Sequence, residues 1–170
     1  MHPEDVLVAL GETAAVFAGF SGIIAVLGIR SVNELGPLER FRFSNLLVIA
    51  VAACLLAFAP LVLDQFALAT SSVWACSSAA MALFALIFLM SRSYAYRRMR
   101  TLQTKWGRPW MAVLSVTVLA GLVVSQSANA MGWILERSAA VYVSGIFALL
   151  VLSGLQFILL ALDATPVRRQ

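Results

Sequence analysis

Residues 43–66 read FSNLLVIAVAACLLAFAPLVLDQF, and this stretch decides the fold. No charged side chain occurs between Arg42 and Asp64. A helix crossing the hydrocarbon core of a bilayer needs roughly 20 predominantly apolar residues, so the run is long enough to span. Lipid offers no partner to an open backbone N–H or C=O, which leaves only helices and closed barrels. The alternating apolar and polar residues of barrel strands are missing here, so the run reads as a helix.

Working outward from it, four more runs of the same kind appear, and the spans fall at about 5–29, 43–66, 72–91, 110–133 and 138–162. The sequence therefore predicts an all-α fold, an integral membrane bundle of five transmembrane helices forming a single domain over 1–170. The connectors are short and leave no room for a separate soluble domain. The whole chain is 62% hydrophobic and 12% charged, with a mean hydropathy of +0.93. Soluble domains carry about 25% charged residues, enough to coat a surface that this chain cannot coat. The first run resembles a signal peptide in position only. Its flank, Met1-His2-Pro3-Glu4-Asp5, is acidic where a signal peptide is basic, and the apolar stretch is too long for a signal core, so it reads as a span.

Charge fixes the expected orientation. Five spans place the connectors alternately on two sides. On one side fall Arg30, Arg40, Arg42, Arg92, Arg97, Arg98, Arg100, Lys105, Arg108, Arg168 and Arg169, which are eleven of the twelve basic residues. Only Arg137 falls on the other. Cytoplasmic connectors are the ones rich in Lys and Arg, so the N-terminus is expected outside and the C-terminus in the cytoplasm. A four-span arrangement with one re-entrant segment would break this sorting. The acids sort oppositely: Glu4, Asp5, Glu12, Asp64 and Glu136 lie at or near the outer face, and Glu34, Glu39 and Asp163 at the inner one. Trp74 and Trp133 at outer span ends, with Trp106 and Trp110 near an inner one, suit interfacial aromatic belts.

Residues 66–71 are expected to form a tight outer turn joining the second and third helices, and the polar stretch 33–37 a break before the second. The longest connector, 92–109, is basic and interleaved with Tyr94, Tyr96 and Trp106. Basic residues with aromatics also occur in nucleic-acid sites. Beside a bilayer the expected partners of Arg97, Arg98, Arg100 and Lys105 are anionic lipid headgroups at the cytoplasmic face, and no nucleic acid. A multi-pass protein of the cell (inner) membrane follows.

Chemistry-bearing motifs are few. His2 is the one histidine, at a terminus, so no metal set is expected. Cys54 lies about ten residues below the outer end of its helix, and Cys76 near the outer end of the next. That offset exceeds the reach of a disulfide, so both read as small packing residues. Phosphate-loop, nucleophile-elbow and Cys-x-x-Cys patterns are absent, and neither an enzyme nor a cofactor is expected. An intramembrane enzyme would have only Glu12 and Asp64 as a catalytic pair.

Glu12 is the informative residue, because a carboxylate well inside a span is expensive and by default marks function. Positions 12, 15, 19, 22 and 26 share a helical face, occupied by Glu12, Ala15, Gly19, Gly22 and Val26, with Gly11, Ala14, Ala18 and Ala25 widening the stripe. Small residues at this spacing let helices approach closely, so Ala15, Gly19 and Gly22 are expected to pack against another helix and turn the acid into protein or water. Glu12 then either handles an ion or proton, or is held structurally by Gln126, Asn129 or Arg137. Asp64, one turn after Pro60, reads as an outer-interface carboxylate or as part of the same path. Ser125, Gln126, Ser127 and Asn129 form the most polar stretch of any span, lining a wet vestibule or packing against Glu12. Asn45 and Gln156 are expected to make interhelical hydrogen bonds.

Two functions fit. One is a small homo-oligomeric channel or transporter favouring a cation or proton, with Glu12, Asp64, Gln126 and Asn129 along the ion pathway, since acid rings select cations. The other is a non-transporting membrane scaffold or regulatory subunit of a larger complex. The lack of an inverted repeat and of ligand motifs favours that second reading.

Overall fold

The computed structural model describes residues 2–27, 37–100, 109–133 and 137–164. Every element among them is an α-helix: α1 (Pro3–Leu27), α2 (Pro37–Asp64), α3 (Thr70–Arg100), α4 (Pro109–Met131) and α5 (Ala139–Ala164). All five are long and apolar enough to cross a membrane, with candidate spans of 20 to 26 residues. At 1.5 Å per residue these measure about 30–39 Å, matching a hydrocarbon core of about 30 Å.

Local sequence explains where the helices begin and end. Three start on proline, at Pro3, Pro37 and Pro109, where the missing N–H would have had no helical partner anyway. Glu4 and Asp5 occupy the first turn of α1, where they complement the positive end of the helix dipole. α4 closes on a Schellman motif: Gly132, at φ 74°, donates its N–H to the Asn129 carbonyl at 3.1 Å, and Trp133 donates to the Ala128 carbonyl at 3.0 Å. α5 opens on Ser138, whose hydroxyl accepts the Ala140 N–H at 3.2 Å as an N-cap.

Two boundaries differ from the sequence reading. α2 starts at Pro37 rather than near 43, and α3 runs on to Arg100, so residues 92–100 are helix where hydropathy alone predicts a connector. Hydropathy marks where apolar residues stop, not where a helix does. Residues 91–100 contain neither Gly nor Pro and include the good helix formers Ala, Met and Arg. Arg97, Arg98 and Arg100 therefore lie on the last turns of α3, whereas Arg30, Lys105, Arg108, Arg168 and Arg169 lie outside the described residues.

The chain divides into two compact units, Met1–Phe58 with Ile146–Gln170, and Ala59–Gly145. The division cuts α2 beside Pro60 and α5 beside Gly145. Proline removes a backbone donor from α2 at that point.

In the first unit α1 buries Leu7, Gly11, Ala14 and Ser21, one face at helical spacing. Gly11 is needed there: a Cβ would stand 3.0 Å from the Phe58 ring and 3.3 Å from Ala57 Cβ. α2 contributes Leu46, Ile49, Ala50 and Ala53, and α5 contributes Ile146, Leu149, Leu152 and Ser153. Phe17 meets Phe157 edge-on at 6.4 Å between ring centroids.

In the second unit α3 and α4 pack directly on each other, burying Val73, Met81 and Ala85 against Leu119, Leu122 and Ala128. The five-residue link 65–69 follows α2 through successive turn bonds, Gln65 to Val62, Phe66 to Leu63 and Ala67 to Asp64. Outside, large apolar side chains face away from the protein, Leu55 at 68%, Leu83 at 58% and Val124 at 69% exposed among them.

Candidate functional site

The face of α1 that carries Glu12 is turned outward. Glu12, Ala15 and Gly19 are exposed and Gly22 is half-buried. Among the described residues, no atom of another helix lies within 4 Å of where a Cβ would stand at Gly19 or Gly22. Val16, Phe20 and Ile23 flank them, each more than half exposed. The small-residue surface of α1 is thus split. Gly11 and Ala14 pack inside the chain, whereas Glu12, Ala15 and Gly19, about 70° to 130° round the helix from the midpoint of those two, do not.

The sequence expectation that the stripe would turn the acid inward is corrected to this extent: within one chain, Glu12 lies on the surface. The physical reason is that two adjacent small stripes satisfy close packing equally well. The one that also holds Leu7 and Ser21 is the one buried. Beside the acid, Thr13 is locally satisfied, its hydroxyl donating to the Ala9 carbonyl at 2.8 Å.

Glu12 belongs to the first unit, whereas Asp64, Gln126 and Asn129 belong to the second. Asp64 is the last residue of α2 and is exposed. Its backbone carbonyl accepts the Ala67 N–H at 3.1 Å, and Ala67 sits in the left-handed region at φ 53°.

Gln126 and Asn129 are the polar centre of the second unit, at 0% and 1% exposure. Asn129 ties three helix ends together. Its Nδ2 donates to Ser78 Oγ at 2.8 Å and to the Ser138 carbonyl at 3.2 Å, and its Oδ1 accepts the Ser138 N–H at 2.9 Å. The side chain therefore joins α3 to α4 and caps the start of α5 through its first unpaired amide. One turn deeper, Gln126 Nε2 donates to the Val141 carbonyl at 2.8 Å. Among the described residues its Oε1 is buried without a hydrogen-bond partner, and so is Ser77 Oγ on α3.

The residues that frame this seam were not singled out in the sequence. Ser77, Ser78 and Tyr142 are fully buried, with the Tyr142 ring 5.9 Å from that of Trp74. Gly145 is the tightest glycine in the structure's described parts, since a Cβ would stand 2.6 Å from both Gln126 Nε2 and Met81 Sδ. The available signal was the antiparallel register: Ser78 faces Asn129 and Met81 faces Gln126, each three residues further along its helix in opposite directions.

The first unit buries polar groups too. Asn45 is 8% exposed, and Arg42, Gln156 and Ser153 are also buried. Between α2 and α5, Ser153 Oγ donates to the Leu46 carbonyl at 3.4 Å. Asn45 Oδ1 has no hydrogen-bond partner among the described residues. At the other end of α3, the Arg92 guanidinium lies 4.9 Å from the Phe88 ring centroid, a cation–π distance. Cys54 and Cys76 are both free thiols. Among the described residues, no three His, Cys, Asp or Glu side chains come together as a metal set. Comparison with protein-family models, with curated proteins and with solved structures gave no match.

Proposed function

We propose that this chain is a multi-pass protein of the cell (inner) membrane that assembles as a homo-oligomer and passes cations or protons along a path bordered by Glu12. The sorting of basic residues supports an N-terminus outside and a cytoplasmic C-terminus. With that orientation, Arg97, Arg98, Arg100 and Lys105 meet anionic lipid headgroups.

The observation that carries the proposal is the outward, open placement of Glu12 together with Ala15 and Gly19. Glu12 is nine residues past Pro3, about 13 Å along the helix. A carboxylate left against hydrocarbon at that depth costs several kcal/mol by insertion scales, so the face needs protein or water over it. A second copy laid on the small residues covers it at little steric cost. α1 contains no Lys or Arg, so two such faces bring carboxylates together without a basic partner of their own. A proton or a cation then has to balance them. Asp64 is exposed at the end of α2, whereas Gln126 and Asn129 are buried within the second unit and serve its packing.

The test is flux in reconstituted vesicles. The wild type should carry protons or monovalent cations faster than empty vesicles, and Glu12→Gln should abolish the cation preference or reduce the flux while the protein remains folded. Wild-type flux equal to that of empty vesicles would overturn transport and return the chain to the scaffold reading.

A further inference from the structure

We infer that the seam between α3, α4 and the start of α5 holds a neutral, water-sized hydrogen-bond donor on Gln126 Oε1, namely a structural water molecule. The inference does not depend on the transport reading. It starts from an imbalance inside the second unit. Asn129 uses both ends of its amide, on Ser78 and on the two backbone groups of Ser138. Gln126, three residues earlier on the same helix face, uses only its nitrogen. Its oxygen is sealed from the surface and bonded to nothing among the described residues.

An amide oxygen carries no proton, so whatever completes it must donate. No donor among the described residues reaches it, and the Met81 thioether, which lies with the Gln126 amide against Gly145, has no proton to give. A second unmatched oxygen, Ser77 Oγ, sits one helical turn from Met81 on α3. A water molecule both donates and accepts, so one on each oxygen meets the demand.

Charge decides the class of occupant. The buried residues of the seam that carry polar atoms are Ser77, Ser78, Gln126, Asn129 and Tyr142, and none of these carries a charge at neutral pH. A cation there would have no counter-charge in a low-dielectric interior, which is far costlier than holding a neutral molecule. Buried polar groups that find no partner in the chain are commonly completed by internal water, typically with about three hydrogen bonds each.

Solid-state NMR on the full chain in lipid bilayers, with ¹³C- and ¹⁵N-labelled glutamine and leucine and with Leu119 and Leu122 identified by loss of signal in Leu119→Ile and Leu122→Ile, tests this. Gln126 is identified by loss of its signal in Gln126→Leu. Magnetisation from water protons should reach Gln126 Cδ at least severalfold faster than it reaches the side chains of Leu119 and Leu122, and the signal should not change between potassium and ammonium buffers. Transfer as slow as to the two leucines would overturn the inference, because the oxygen would then be dry. An ammonium-dependent shift of Gln126 would overturn it equally, because the occupant would then be a cation.

Discussion

Replacing Asn129 with alanine removes the group that joins α3, α4 and the cap of α5. Three hydrogen bonds disappear at once: two donated by Nδ2 and one accepted by Oδ1. Interhelical hydrogen bonds in membrane proteins average about 0.6 kcal/mol each, because the unfolded chain in lipid also finds partners. Three of them amount to about 2 kcal/mol. The Ser138 N–H is then left as an unmatched helix-start amide, and a buried orphan donor costs about 1–3 kcal/mol. Ser138 is only half-buried, so the lower end applies and the total is about 2–3 kcal/mol. That corresponds to a roughly 30- to 150-fold shift in the folding equilibrium. Unfolding of the detergent-solubilised protein by SDS titration, or by steric trapping in bicelles, reads this directly. Ser78→Ala should cost less, about 0.6 kcal/mol. The double variant should fall short of the sum, because both changes break the same bond. Asn129→Ala within about 0.5 kcal/mol of wild type, the spread of an uninvolved surface change, would refute the clamp.

The two kinds of glycine should behave differently. Gly145→Ala places a methyl group on Gln126 and Met81 and should destabilise the single chain by about 1–3 kcal/mol, with part of that recovered by adding Met81→Ala; unfolding free energy checks it. Gly22→Leu meets open space and should leave the monomer's stability within about 0.5 kcal/mol of wild type while lowering the oligomer fraction on size-exclusion chromatography with light scattering. Topology is checked by cysteines placed at Ser71 and Thr101 in a background lacking Cys54 and Cys76. Ser71→Cys should label from outside intact cells and Thr101→Cys only after permeabilisation; labelling of both from outside contradicts five spans.

The helices themselves were legible because hydropathy over some twenty residues is a strong signal and because Pro3, Pro37 and Pro109 mark helix starts. The end of α3 was not, since its last turns are polar yet good helix formers. The rotation of α1 was hidden for a different reason. Gly11 and Ala14 on one side, and Ala15 and Gly19 on the next, are equally small, and periodicity cannot rank two stripes of the same bulk. Asn129 stood out as a polar residue in an apolar run. Its partner Ser78 is 51 residues away in sequence, and a pairing at that distance appears only once α3 and α4 are seen side by side. Gly145 had no signal of its own, because a glycine's necessity lies in the atoms facing it, here the side chains of Gln126 and Met81.

The central claim is that the open face of α1 is where copies of the chain meet. Disulfide trapping in native membranes tests it most directly, using Gly19→Cys in a chain lacking Cys54 and Cys76. The comparison is Leu83→Cys, on the outward face of α3, where Leu83 is 58% exposed. On mild oxidation, Gly19→Cys should give covalent dimers and Leu83→Cys should remain monomeric. No dimer from Gly19→Cys, or equal dimer from both positions, would contradict the claim.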